Sequence, residues 1–102
     1  MKRLRFSPAA LADLDLIWEY TAANWGDDQA EKYIRKIQNA CTGISLESIH
    51  GSSAEYIRSG YRKVPIGSHV LFFRPTEDGA FEIVRILHQR MDVGTHLKNS
   101  NN

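Results

Sequence analysis

The side chains best suited to bind or transfer charge gather late in the chain, from Arg85 to Lys98, where Arg85, His88, Arg90, Asp92 and His96 crowd a short stretch. They follow a long apolar run, Phe81 to His88, and so mark the point where the chain leaves a sheet, a place where loops often carry function. Guanidinium groups pair with carboxylates and phosphates through parallel N–H donors, and imidazoles change charge near neutral pH. The chemistry is therefore recognition of an anionic partner or proton transfer to one. Arg85 interrupts the apolar run itself, so it needs a partner carboxylate, a sheet edge or an external ligand. A purely structural reading of the exit stands beside this: Asp92 caps a last helical turn, Met91 and Leu97 close the core, and Arg90 is a solvated charge.

Other chemistries find less support. His88 and His96 are neither one helical turn apart nor part of a Cys/His set, so no metal site is predicted. No Ser/His/Asp context, phosphate-cradling glycine loop or paired carboxylates stand out, and no cofactor is predicted. His50 reads as a loop residue and His69 as a strand residue. Cys41 falls on an apolar helical stripe, which makes it a small buried hydrophobe and not a nucleophile.

The elements that must position the charged exit follow from spacing. Lys2 to Phe6 alternates basic and apolar residues as a half-buried strand does. Ser7-Pro8 supplies an N-cap hydroxyl and a proline at the first helical position. The helix it opens runs to about Asn24, with Leu11, Leu14, Ile17 and Trp18 on its apolar stripe and Asp13, Asp15 and Glu19 largely elsewhere. Trp25-Gly26-Asp27-Asp28 breaks it, and Asp28 with Glu31 forms a capping-box-like start for a second helix. That helix, about Gln29 to Leu46, carries Ala30, Tyr33, Ile34, Ile37, Cys41 and Ile44 at spacings of three and four. After the loop His50-Gly51-Ser52-Ser53 come four strands, at Glu55–Arg58, Tyr61–Ile66, His69–Arg74 and Phe81–His88, separated by turn signals at hairpin spacing. The order β-α-α-β-β-β-β predicts an α+β fold with a helix hairpin on one face of a mostly antiparallel sheet.

With 102 residues the chain can bury one core and not two. One domain over residues 1–98 is predicted, with a frayed tail at 99–102. A single cysteine rules out an internal disulfide, and the basic start is followed by no apolar stretch of signal-peptide or membrane-spanning length, so a cytoplasmic protein is expected. The net charge of +1 argues against coating nucleic acid by bulk charge. Its distribution is uneven: Phe6 to Glu31 holds six acids and no Lys or Arg, whereas Tyr56 to Thr76 holds four bases and no acid. The chain is electrically two-sided.

The sequence also resembles a known family, the ParE toxins of the RelE/ParE superfamily from bacterial toxin–antitoxin pairs. The resemblance rests on Phe6-Ser7-Pro8-Ala9-Ala10, Asp13-Leu14, Ile17, Tyr20, Trp25-Gly26 and Gln29-Ala30 with Tyr33. It continues through Gly60-Tyr61-Arg62, Gly67-Ser68-His69-Val70 and Phe73-Arg74. It is most specific in the closing string Val84-Arg85-Ile86-Leu87-His88-Gln89-Arg90-Met91-Asp92, with His96-Leu97. The resemblance implies a RelE/ParE-like fold and a toxin that traps cleaved DNA on gyrase. It implies neutralisation by a ParD-like antitoxin, through which alone operator DNA would be met. Arg85, His88, Arg90, Met91 and Asp92 would then form the toxic, gyrase-facing surface. Trp18, Tyr20, Trp25, Arg58 and Arg62 would meet the antitoxin. A different class of function is a ribosome-dependent messenger-RNA endonuclease like the RelE branch, which needs a general base, a general acid and cations. His88 or His96 with Arg62, Lys63, Arg85 and Arg90 supply those parts, but no tyrosine follows Tyr61 to match that branch's carboxyl-terminal catalytic groups.

Overall fold

The computed structural model describes residues 1–90 and Leu97; Met91, Asp92, His96 and the tail at 99–102 fall outside the described residues. A short strand β1 (Leu4–Phe6) leads into the hairpin of α1 (Pro8–Trp25) and α2 (Asp27–Ser45). Strands β2 (Ser52–Ser53), β3 (Arg62–Ile66), β4 (His69–Pro75) and β5 (Phe81–His88) follow. The sheet runs β1-β5-β4-β3-β2, antiparallel throughout except where β1 lies parallel to β5. This is the expected α+β order.

The helix hairpin forms because its ends are specified locally. Ser7 is the N-cap of α1, its Oγ accepting from the Ala10 N–H at 3.0 Å, and Pro8 follows at the first helical position. Gly26, at φ 92°, closes α1 by donating its N–H to Ala22 O and opens α2 by accepting from the Ala30 N–H. One residue therefore serves both helices. The capping box expected from Asp28 and Glu31 does not form, because this turn leaves no residue free to act as a side-chain cap. Asp27 and Asp28 sit inside the first turn of α2, where negative charge favours the helix dipole.

The helices cover one sheet face. Ala10 and Ile17 of α1 with Ile37, Ala40, Cys41 and Ile44 of α2 pack on Ile66, Leu71, Phe73, Ile83 and Ile86. Each of the larger aliphatic side chains so buried contributes about 1.5–3 kcal/mol. The opposite face is also dry, with Phe72, Val84 and Leu87 packed against Ala54, Tyr61 and Leu97. Burial on both sides explains why consecutive residues are apolar in the centres of β4 and β5, with Arg85 as the interruption in β5.

Two elements depart from the periodicity. The strand expected at Glu55–Arg58 is instead a turn, in which the Ile57 and Arg58 N–H groups both bond to Ala54 O, so Ala54 and Ile57 can plug the second core. The first strand of the meander lies earlier, at Ser52–Ser53. The buried face of α1 is also rotated from the expected stripe. Leu11 and Trp18 are exposed, and Ala10, Asp13 and Ile17 are the buried residues.

Asp13 is buried because β1 is too short for β5. The parallel ladder ends at Phe6↔Ile83, leaving the rest of that edge of β5 without a strand. The start of α1 takes the strand's place: Ser7 N–H donates to Ile83 O (3.0 Å), Ser7 Oγ to Val84 O (2.7 Å), and the Ile86 N–H donates to Asp13 Oδ2 (2.9 Å). Arg85 completes the arrangement with a two-pronged pair, Nε to Oδ2 and an Nη to Oδ1, both at 2.9 Å. These bonds to Asp13 hold the Arg85 guanidinium above its ordinary pKa, against the opposing effect of burial. Arg85 thus has the carboxylate partner that its place in an apolar strand demands.

Removing Asp13 strands a half-buried guanidinium and a backbone N–H together. Asp13→Ala should lower unfolding free energy by about 3–5 kcal/mol in urea titration. Asp15→Ala, exposed on the same helix, should stay within about 0.5 kcal/mol.

Candidate functional site

Between the helix hairpin and the ends of β4 and β5 lies a cleft of about 900 Å³. Tyr20 and Trp25 wall it from α1 and Gln29 from α2, and Tyr33 with Ser68, His69 and His88 of the sheet side makes its polar floor. Asp13, Ile17 and Ile86 form its base. The upper wall is unusually apolar for exposed surface: Leu16, Tyr20 and Trp25 are 64%, 69% and 71% exposed.

The polar floor is a connected set. Tyr33 Oη lies 2.6 Å from His69 Nδ1 and 3.1 Å from Ile66 O, and accepts the Ser68 N–H at 3.2 Å. Gly67 permits this approach, since a Cβ there would fall 2.7 Å from the Tyr33 ring and its φ is 58°. His69 faces His88 across the β4–β5 ladder, ring centroids 5.4 Å apart and edge to face. His88 Nδ1 accepts the Arg90 N–H at 3.2 Å. Burial lowers the His69 pKa from its ordinary value, His88 lowers it further, and Asp13 opposes both. No group of three or more His, Cys, Asp or Glu able to hold a metal ion occurs among the described residues.

A register shift brings the histidines together. Counting back from Pro75↔Phe81, an unbroken antiparallel ladder would set His69 opposite Leu87. Between Phe72 and Phe73 the register slips by one, leaving Val84 as the extra residue and His88 opposite His69. A bulge re-aims side chains in this way at many binding sites.

The structure therefore unites some of the residues expected to act and separates others. Tyr20, Trp25 and His88 share the cleft, with Arg85 fastened to Asp13 at its base. Trp18 is exposed on α1 but does not line the cleft. Arg90 is exposed just beyond β5. Arg58 and Arg62 lie toward the far edge of the sheet. Arg58 is exposed in the turn, and Arg62 donates from Nε to His50 O at 2.6 Å and from an Nη to Gly51 O at 2.9 Å, tying down the chain entering β2. Met91 and Asp92 are outside the described residues. Asp13, Tyr33 and His69 were not among the expected site residues. The one sequence signal for Asp13 was its place three after Ala10 and four before Ile17.

Comparison with known proteins agrees with this architecture. The solved chromosomal ParDE toxin–antitoxin system from P. aeruginosa superposes with a TM-score of 0.74 at 23% identity, covering 86% of this chain and 96% of that one. The E. coli DinJ–YafQ toxin–antitoxin complex superposes at 0.65 with 14% identity, covering 91% and 98%. The fold is thus the RelE/ParE-like one, shared with chains of toxin–antitoxin systems. The family model for the ParE toxin of the type II toxin–antitoxin system parDE matches residues 4–93. Toxin ParE1 of Mycobacterium tuberculosis is 47% identical over 95 residues, 93% of this chain and 97% of that protein. Toxin ParE1 of Caulobacter vibrioides is 42% identical over 97 residues, 95% and 99%. The chain belongs to the ParE toxin family.

Cys41 stands apart from the cleft in the helix-side core, and burial pushes its thiol up to about 11. At about pH 8 only about one thiol in a thousand is then ionised. A thiol reagent should label Cys41 no faster than the protein unfolds, and at once in denaturant.

Proposed function

We propose that this ParE-family toxin acts without catalysis, by trapping the cleaved-DNA complex of DNA gyrase, and that a ParD-like antitoxin silences it by filling the cleft. The observation that carries the reading is the exposed aromatic wall of Tyr20 and Trp25 standing over a polar floor. Such a groove suits the apolar face of an amphipathic helix, with polar residues along its edge. Trp18 extends the exposed aromatic surface along α1, and Arg58 and Arg62 offer positive charge to a segment that wraps the far sheet edge. Operator DNA enters this scheme only through the antitoxin.

On this reading the toxic surface is the exit of β5: His88 and Arg90, then Met91 and Asp92, with Arg85 holding the strand in place through Asp13. His88 then belongs to both surfaces, because it lines the cleft that the antitoxin fills. Neutralisation by direct occlusion follows from that overlap.

Full chain added to gyrase with supercoiled plasmid should yield linear, cleaved DNA, and addition of antitoxin should suppress it. Messenger cut at defined codons on programmed ribosomes, with gyrase unaffected, would sink the proposal in favour of an endonuclease. Arg90→Ala retains the backbone N–H that His88 accepts. It should abolish growth arrest while antitoxin affinity stays within about threefold. Tyr20→Ala and Trp25→Ala should do the reverse, each weakening antitoxin binding about thirtyfold, the loss of about 2 kcal/mol typical of a buried aromatic anchor.

A further inference from the structure

We infer that the floor of the cleft is a receptor for one carboxylate side chain of the docked antitoxin segment, held by His69 and His88, and that acid tightens this grip through His69. The inference rests on the cleft being the antitoxin's seat and adds what the seat recognises there.

The hydrogen bonds decide which ring atoms are offered. His88 Nδ1 accepts the Arg90 N–H, so neutral His88 carries its proton on Nε2. Tyr33 Oη lies 2.6 Å from His69 Nδ1 and 3.1 Å from Ile66 O; where it donates to Nδ1 the neutral His69 proton is likewise on Nε2, and in charged His69 both ring nitrogens carry one. Neither Nε2 has a partner among the described residues. Two N–H donors on facing rings suit an oxygen acceptor, whereas a metal ion would require the opposite tautomers. The nearby acid does not serve as that acceptor: Asp13 takes both Arg85 prongs and the Ile86 N–H, and neither Nε2 bonds to it.

The two rings differ in what protonation costs. A second proton on His88 forfeits its bond from Arg90. A second proton on His69 forfeits nothing: Nδ1–H donates to Tyr33 Oη, and Tyr33 turns its own hydrogen to Ile66 O. Tyr33 thus allows His69 to hold either charge within one geometry. The groups facing His69 are Asp13 with Arg85 and Tyr20 from α1 and β5, Tyr33 from α2, Ser68 from the preceding turn, and His88. In the free toxin, burial and then His88 lower the His69 pKa, with Asp13 opposing them. A carboxylate accepting from the Nε2–H groups at the rim of the two rings opposes that lowering, so binding takes up a proton. Affinity then rises as pH falls through the raised His69 pKa of the complex, and levels off below the lowered pKa of the free toxin.

The test measures affinity of the full toxin for its ParD-like antitoxin between about pH 8 and pH 5.5, a range in which an ordinary antitoxin carboxylate remains ionised. Wild type should bind about tenfold tighter at the acid end, the equivalent of one unit of pKa change on binding. His69→Gln should flatten the profile, and Tyr33→Phe should reduce its slope. His88→Gln should weaken binding and keep the slope. Amide replacement of the antitoxin acid that enters the cleft should also flatten it. A flat wild-type profile, or a slope that survives His69→Gln, overturns the inference. Inorganic phosphate that shifts the His69 Cε1–H resonance while antitoxin affinity stays flat with pH would overturn it too, by making the floor a free-anion site. If Tyr20→Ala and Trp25→Ala weaken binding but pH does not matter, the cleft remains the seat and only the receptor falls. If those two substitutions leave binding unchanged, the seat itself is elsewhere.

Discussion

The carboxylate of Asp13 holds the molecule together at the point where its sheet runs out. A strand edge in the interior must have its backbone groups satisfied, and β1 covers only the first part of β5. Ser7 and Asp13, six residues apart on the first turns of α1, take over from it, accepting from one N–H and serving two carbonyls. A helix thereby substitutes for a missing strand. The same carboxylate neutralises Arg85, which could not otherwise lie in so apolar a strand. One acid side chain thus fixes the height and rotation of α1 over the sheet, and the placement of the cleft follows from that.

Once α1 is rotated to bury Asp13, Leu16 and Tyr20, three and seven residues further along, lie on the same side of the helix and run on into the cleft. Leu16, Tyr20 and Trp25 stay exposed there and form the wall of the cleft, beyond the part of α1 that Ala10, Asp13 and Ile17 seat on the sheet. The apolar surface available to a partner is in this sense a consequence of the ion pair. The tight hairpin at Gly26 then sets α2 beside it, bringing Tyr33 over the β3–β4 turn. Gly67 makes the room that Tyr33 needs there.

The overlap proposed at His88 has a structural cause as well. The strand that carries the charged exit is the strand whose open edge α1 closes, so the floor of the cleft and the start of the exit are consecutive stretches of one element. Within the proposed toxin mechanism, a segment lying in the cleft cannot avoid the neighbourhood of Arg90. Blocking a toxic surface by filling the adjoining groove requires no conformational change in the toxin.

Much of this was legible in the sequence, because helices announce themselves through local features. Ser7-Pro8, Gly26 and the stripe from Ala30 to Ile44 placed both helices within a few residues, and the long apolar runs located β3, β4 and β5. The closing string from Val84 to Asp92 carried the family likeness. Other features depended on contacts between distant parts of the chain. The buried face of α1 was misread because an aspartate was expected to face water, and only the unpaired edge of β5, some seventy residues away, makes burial favourable for it. Tyr56 and Ile57 looked like strand residues until Ala54 and Tyr61 closed them into a turn over the second core. His69 and His88 became neighbours through one extra residue in a ladder, a slip that no spacing in the sequence reveals because the side-chain period of a strand is blind to where pairing shifts. Local physics set the elements and their order. The tertiary structure decided which charge is buried, which aromatic rings are left exposed, and which two histidines meet, since each depends on what the chain packs against and not on what precedes it.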